Sequence, residues 1–364
     1  MIEHLQALAI HAYYAGEIET GRRACERLLS MPLPPEVEMQ TRRNRTWYSE
    51  RLDDLVPARY HRIDVEPAHE GWSLFNPTLL VHRGELVGLV RSSNYKIRDG
   101  VYEPCDETDR GTIRTDNLLV RYGSDLTVAS CRAVRGPEYE TTEYPVFGLE
   151  DCRLRHTKTG IGVSATVRNA APFDGRCRIG VADLDIDTGE ATRLRVLDGL
   201  SAAEHEKNWM PIEDGPLHGG WVYACYHNGH AVAVAADPTL GGAYQLLQHA
   251  AAPHLAKEFR GGGQLIWWRG GYLGVIHEVA VPENGQRVYE HRFVWFDASL
   301  ALRRISMPFV FREPRAIEFA AGLAAMGDRV VVSFGVRDAE AWLVELAGDD
   351  VKGLLRESCD HIQR

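Results

Sequence analysis

The chain has 364 residues, 45% of them hydrophobic and 25% charged, with a formal net charge of −10. That composition supplies a folded core and excludes disorder as the main state, while the negative balance argues against nucleic acid as a partner. Met1-Ile2-Glu3-His4 opens neither a basic nor an apolar leader and no stretch is long enough to span a bilayer. The seven cysteines, at positions 25, 105, 131, 152, 177, 225 and 359, show neither a disulfide framework nor metal-ligand spacing. The expectation is a cytoplasmic protein without membrane insertion, metal or cofactor.

Leu5, Leu8, Ala9, Ala12 and Tyr13 recur at helical spacing, Gly16 interrupts them, and Thr20 to Leu29 resumes with Ala24, Cys25, Leu28 and Leu29 on one side. Pro32, Pro34 and Pro35 stop this second helix, and Val37 to Tyr48 begins an arginine-rich third. In Tyr13-Tyr14-Ala15-Gly16 and Ala24-Cys25-Glu26-Arg27-Leu28-Leu29 the segment resembles the end of a tetratricopeptide array. Such repeats gain stability by stacking, and no second copy follows. Residues 1–56 are therefore expected to form a helical cap, which is also a candidate surface for a protein partner.

From about residue 60 short strand candidates follow one another, separated by glycine, aspartate, asparagine and proline, from Thr78 to His82 through Ala341 to Glu345. Polar turns such as Arg83-Gly84, Asn228-Gly229 and Arg269-Gly270-Gly271 suit antiparallel hairpins. Repeated hairpins over this length favour a propeller, whose radial sheets leave few exposed edges. The expected fold is mainly β, a five-bladed β-propeller over 57–350 with a short N-terminal α-helical extension and a tail at 351–364; a six-bladed or two-sandwich arrangement stays open.

Charged clusters punctuate these strands: Gly148-Leu149-Glu150-Asp151-Cys152-Arg153, Glu206-Lys207-Asn208-Trp209 and Phe259-Arg260-Gly261-Gly262-Gly263-Gln264. Together with Phe75-Asn76-Pro77 and Arg91, Tyr226-His227, Ile317-Glu318-Phe319 with Gly322, and Ser333-Phe334-Gly335-Val336-Arg337-Asp338, they make residues 74 to 346 resemble the five-bladed propeller of glycoside hydrolase family 130. That family comprises mannoside phosphorylases and related hydrolases, and glycosyltransferase-type proteins share its propeller. Cys152 stands where the family pattern usually has proline, and the stretch between Asn94 and Arg114 is insertion-like; both mark a divergent member. The resemblance implies an inverting glycoside phosphorylase or hydrolase acting on an oligosaccharide or glycoside, with inorganic phosphate or water as acceptor. A glycosyltransferase using a nucleotide sugar or sugar phosphate, and a non-catalytic glycan-binding scaffold, are the alternatives.

Inverting glycosyl transfer needs an acid for the departing oxygen and a nucleophile on the opposite face of the ring. Asp151 is the candidate acid. On a regular strand Glu150 points the other way and is a structural or hydroxyl-binding group, whereas Arg153 shares the face of Asp151 and lowers its pKa. Lys207 and Asn208 offer polar groups to a pyranose and Trp209 an apolar face. His227 ends a strand as a candidate phosphate or proton ligand. Arg260, ahead of three glycines, is a candidate anion nest. The resemblance adds Asn76, Arg91, Glu318 and Asp338 as substrate-binding positions, with Glu318 or Asp338 as a second carboxylate in a hydrolytic member.

Overall fold

The computed structural model describes all residues except 99, 106–110, 159, 172–174, 198–204, 237–243, 283–284 and 358–364, so Cys359 lies outside the described residues. Three helices come first: α1 (Ile2–Tyr14), α2 (Ile18–Leu29) and α3 (Pro35–Arg45). Gly16, at φ +73°, ends α1 in a left-handed residue. The amides of Gly16 and Glu17 turn back to the carbonyls of Tyr13 and Ala12, which satisfies two otherwise orphaned acceptors. Ala24, Cys25, Leu28 and Leu29 form the buried face of α2, and Pro35 starts α3 where its missing amide costs nothing. The Tyr48 ring occupies the space a side chain at Gly21 would need, and its hydroxyl donates to the Ala9 carbonyl at 3.0 Å.

Strands follow, almost all antiparallel to their neighbours. One sheet is the meander Ser73–His82, Glu85–Ser93, Ile113–Tyr122, Val128–Ala133, with Val146–Phe147 added in parallel. The second runs Glu150–Thr157, Gly160–Val167, Arg178–Asp185, Glu190–Val196, and the third Met210–Pro211, Trp221–His227, His230–Ala236, Tyr244–Ala251. A fourth, Glu318–Met326, Arg329–Val336, Glu340–Ala347, is completed by Ala58–Arg62, so the segment leaving the helices closes the last blade. The turns at Arg83-Gly84, Asn228-Gly229 and Arg269-Gly270 all have two successive positive φ values, the backbone that matches hairpin twist.

The expected count of five blades is corrected to four. Among the described residues four sheets have the four-stranded meander of a blade, a fifth, built on Gly271–Ala280 and Val288–Asp297, has eight strands, and Tyr95–Arg98 pairs with Val101–Pro104 as a separate two-stranded hairpin. The eight-stranded sheet grows beyond a meander by taking in Glu50–Arg51 and Arg356–Glu357 from the two flanks of the propeller. The core occupies the wedges between adjacent sheets. Leu80, Val87 and Leu119 of the first blade pack on Leu154 and Val163 of the second, and Leu79 and Val90 on Val331 and Leu343 of the fourth. The eight-stranded sheet packs Leu273 and Phe293 against the fourth blade and Ile276 and Phe296 against the third.

The helices are tied to that large sheet by charge. Arg292, fully buried, donates to Glu26 of α2 at 2.7 Å and to Glu278 at 2.7 Å, while Arg45 of α3 pairs with Glu278 at 3.1 Å and Glu290 at 2.8 Å. Arg42 adds a bond to Glu278 at 2.8 Å. Three arginines thus meet three glutamates away from water, a balance without which each charge would be costly to bury. On the helical segment, Tyr13, Tyr14 and Trp47 are exposed at 41%, 82% and 52%. No helix among the described residues is long and apolar enough to cross a membrane.

Candidate active site

A cavity of about 300 Å³ opens where the inner ends of the sheets converge, and four residues with left-handed backbones line it: Asn76, Asp151, Asn208 and Asp338, at φ +47°, +48°, +63° and +49°. Asparagine and aspartate tolerate this region better than other residues with a Cβ. Pairing skips from Phe75 to Thr78 in the first blade and from Glu150 to Arg153 in the second, so Asn76 and Asp151 sit in bulges. A bulge redirects a side chain, and here it turns polar groups from different blades toward one space.

The bulge also changes the geometry expected of Glu150 and Asp151. On a regular strand they face opposite ways, yet both line the cavity and both bind Arg91, whose guanidinium donates to Glu150 at 2.8 Å and to Asp151 at 3.0 Å. Arg91 is 5% exposed, lies over the Phe75 ring at 4.8 Å and also reaches Thr115 at 3.3 Å. The Asn76 side-chain amide donates to the same Asp151 oxygen at 2.9 Å. Burial alone would raise the pKa of Asp151, but Arg91, Arg153 and the bonds from Asn76 and Arg91 outweigh it and hold the carboxyl below its usual range.

Arg153 forms no salt bridge with the Asp151 carboxylate among the described residues. Its guanidinium donates to the Asp151 main-chain carbonyl at 2.6 Å, to the Gly262 carbonyl at 2.7 Å and to Asn208 at 3.4 Å. It therefore ties the bulge to the neighbouring sheet. Asp338 stands on a tight turn across the cavity and accepts from the Tyr95 hydroxyl at 2.8 Å. Burial pushes its pKa up to about 6, helped by the charges of Asp151 and Glu150 and opposed by Arg91 and the Tyr95 bond. The site thus holds one carboxyl kept ionised and another that retains a proton in mildly acidic water.

Arg168, Lys207 and Arg260 also line the cavity, and none is paired with a carboxylate among the described residues. His277 lines it as well, stacked on Tyr289 with ring centroids 5.3 Å apart. Burial, then the charges of His291, Arg260, Arg153 and Lys207, push its pKa well down, so this imidazole is neutral. Tyr95, Arg168, His277 and Tyr289 were missed as site residues. The only local sign of them was their position on or beside strands that carry the polar clusters.

Other expected residues lie elsewhere. Trp209 is 2% exposed and packs edge-on against Tyr223 and Tyr244, part of the core between the second and third blades rather than a platform in the cavity. His227 is exposed beside the Asn228-Gly229 turn, outside the cavity. Glu318 is fully buried and accepts from the amides of Phe311, Arg312 and Glu313 at 2.6, 2.8 and 2.8 Å, which fixes that loop. The three glycines after Arg260 do not form an anion nest. A side chain at Gly261 would strike the Asn208 carbonyl, one at Gly262 those of Val275 and Ala320, and one at Gly263 the backbone of Gly322. They permit close packing of backbones.

No family model matches the chain, and no curated protein matches it. Solved structures do. A glycosyl hydrolase from Bacteroides ovatus is similar with a TM-score of 0.55 at 14% identity over 83% of this chain and 97% of that one. A putative glycoside hydrolase from Parabacteroides distasonis gives 0.52 at 13% over 82% and 95%, and a beta-1,2-mannobiose phosphorylase from Listeria innocua, solved with beta-1,2-mannobiose, gives 0.51 at 14% over 84% and 98%. At this identity the likeness establishes a shared propeller fold spanning nearly the whole length of those proteins.

Proposed function

We propose that the chain is a carbohydrate-active enzyme, an inverting glycoside phosphorylase or hydrolase, acting on an oligosaccharide or glycoside in the cavity. The observation that carries this reading is one cavity lined both by the carboxylates Glu150, Asp151 and Asp338 and by the cations Arg168, Lys207 and Arg260, which have no carboxylate partner among the described residues. Carboxylates that differ in proton affinity suit acid catalysis on a glycosidic oxygen, and cations not neutralised by a carboxylate suit a phosphate nucleophile. The fold shared with a mannobiose phosphorylase and glycoside hydrolases adds support.

In this reading Asp151 passes a proton to the departing oxygen, directly or through a sugar hydroxyl. It is ionised in the empty cavity, and a bound sugar that takes over the Asn76 and Arg91 bonds and expels water raises its pKa. Below about pH 6 Asp338 holds a proton in the site before substrate arrives, and Asp151 takes up the proton it donates from Asp338 or from water as its own pKa rises. As the glycosidic bond breaks, the leaving oxygen gains the proton, and phosphate or water bonds to the anomeric carbon from the opposite face. With phosphate, Arg168, Lys207 and Arg260 hold the nucleophile; with water, a carboxylate must accept a proton. Asn208 and Glu150 hold hydroxyls.

The test incubates the purified chain with manno-, gluco- and galacto-oligosaccharides, with and without phosphate, and in parallel with nucleotide sugars plus acceptors, following products by mass spectrometry. Sugar 1-phosphate formed only with phosphate, or free sugar without it, supports the proposal. Elongation dependent on a nucleotide sugar makes the protein a transferase instead, and no product with no sugar-induced thermal shift leaves a scaffold.

A further inference from the structure

The cavity continues sideways. Tyr102, Arg287 and Ile317 at its rim also form the wall of a second hollow of about 400 Å³, whose lining includes Arg315 and Arg337. Three arginines and no carboxylate line this space among the described residues. In a chain with a formal charge of −10, that is a local reversal of sign.

Two of the three arginines are pre-positioned. Arg315 lies over the exposed Trp47 ring at 3.7 Å and donates to the Thr46 hydroxyl at 3.1 Å, while Arg287 shares hydrogen bonds with Tyr102 and Tyr289. Neither has a carboxylate partner among the described residues. Arg337 pairs with Glu313 at 2.6 Å, but both side chains are solvent-exposed, where such a pair contributes little and is readily exchanged. Tyr102 adds an aromatic surface, 41% exposed, between the two spaces.

We propose that this hollow is a subsite for an anionic substituent on the glycan, a phosphate ester or a uronate carboxylate, carried by a sugar next to the reacting ring. Fixed guanidiniums match the oxygens of either group with charge-assisted, often paired hydrogen bonds, and Tyr102 takes the apolar face of the ring that bears the group. The inference rests on the cavity being a glycosyl site and names the substrate class of that site as acidic rather than neutral saccharides.

The test titrates the full chain with mannose, mannose 6-phosphate, mannuronate and inorganic phosphate, in the wild type and in an Arg315→Gln/Arg337→Gln variant, by calorimetry. At least one charged sugar binds about tenfold or more tighter than mannose, the gain expected of one charge-assisted hydrogen bond. That preference disappears in the variant, while inorganic phosphate, held in the cavity, binds both proteins alike. Which charged sugar shows the preference separates phosphate ester from carboxylate. Equal affinity for charged and neutral sugars, or a preference that survives in the variant, overturns the inference. If the double variant fails to fold, Arg337→Gln alone, at an exposed turn, gives the same comparison with a partial loss expected and an unchanged preference contradicting it. Failure of the glycosyl-site reading appears separately, as no turnover of any saccharide by the wild type.

Discussion

Arg91 and Asp151 meet at 3.0 Å across two blades, and the same guanidinium reaches Glu150 at 2.8 Å. One buried cation thus holds two neighbouring carboxylates that a regular strand would send to opposite faces. Removing it leaves two like charges in one cavity. Arg91→Met is expected to raise the pKa of the proton donor Asp151 and weaken saccharide binding, read as a shift of the alkaline limb of a pH–rate profile toward higher pH; an unmoved limb would detach Arg91 from the chemistry.

Asp151→Asn is expected to leave the fold intact and lower turnover by at least about 100-fold, the low end of a positioned acid's contribution. Circular dichroism checks the fold, and steady-state rates on the substrate found by the saccharide panel check the loss. Undiminished turnover would remove Asp151 from the proton path.

Asp338 has its pKa raised to about 6, so it is protonated below that value and loses its proton above it. The folded state binds this proton more tightly than the unfolded chain does, so the group's contribution to stability falls as pH rises from the ordinary carboxyl value through about 6. Turnover that uses the proton should fall over the same upper range. In Asp338→Asn both dependences should flatten, which thermal melts and kcat/KM profiles from pH 4 to 8 would reveal.

The buried ion network makes the helices part of the propeller's stability. Burial would raise the pKa of Glu26, but Arg292 and Arg45 outweigh it and hold it low, so its contribution is present above the unfolded carboxyl value and is lost as pH falls. Glu26→Ala takes one of its two carboxylate partners from the fully buried Arg292 and is expected to cost about 3–5 kcal/mol. Denaturant unfolding measures this, and a change within the error of the extrapolation would show that the network is not a structural tie.

Gly262→Ala should destabilise by about 1–3 kcal/mol, the usual range for overpacking, because the new methyl meets the carbonyls of Val275 and Ala320. A variant as stable as the wild type but impaired in phosphate binding would restore the anion-nest reading of the glycine run.

The hairpins were legible because period-two strands and turns such as Asn228-Gly229 leave a local signature. The recruitment of Glu50–Arg51 and Arg356–Glu357 into an eight-stranded sheet was not, since it depends on where the two flanks of the propeller come to rest. At the site, the Glu150-Asp151-Cys152-Arg153 cluster stood out, but the left-handed bulge at Asp151 reverses the strand-face argument and no composition rule marks it. Trp209 and Glu318 looked like ligand-binding residues because aromatic and acidic side chains serve cores and loops as well as sugars. Burial and partners separate these roles, and neither is encoded by neighbours in the chain. His277 and Tyr95 were hidden for the converse reason, as ordinary members of strand-like runs.

The central claim is that this cavity performs glycosyl transfer with inversion, using Asp151. Its most direct test is proton NMR of the earliest product from an active saccharide, recorded for the wild type and for Asp151→Asn. The expected result is a sugar or sugar 1-phosphate whose anomeric configuration is opposite to that of the substrate and which Asp151→Asn forms at least about 100-fold more slowly. A product of retained configuration, or one formed equally fast by the variant, would contradict it.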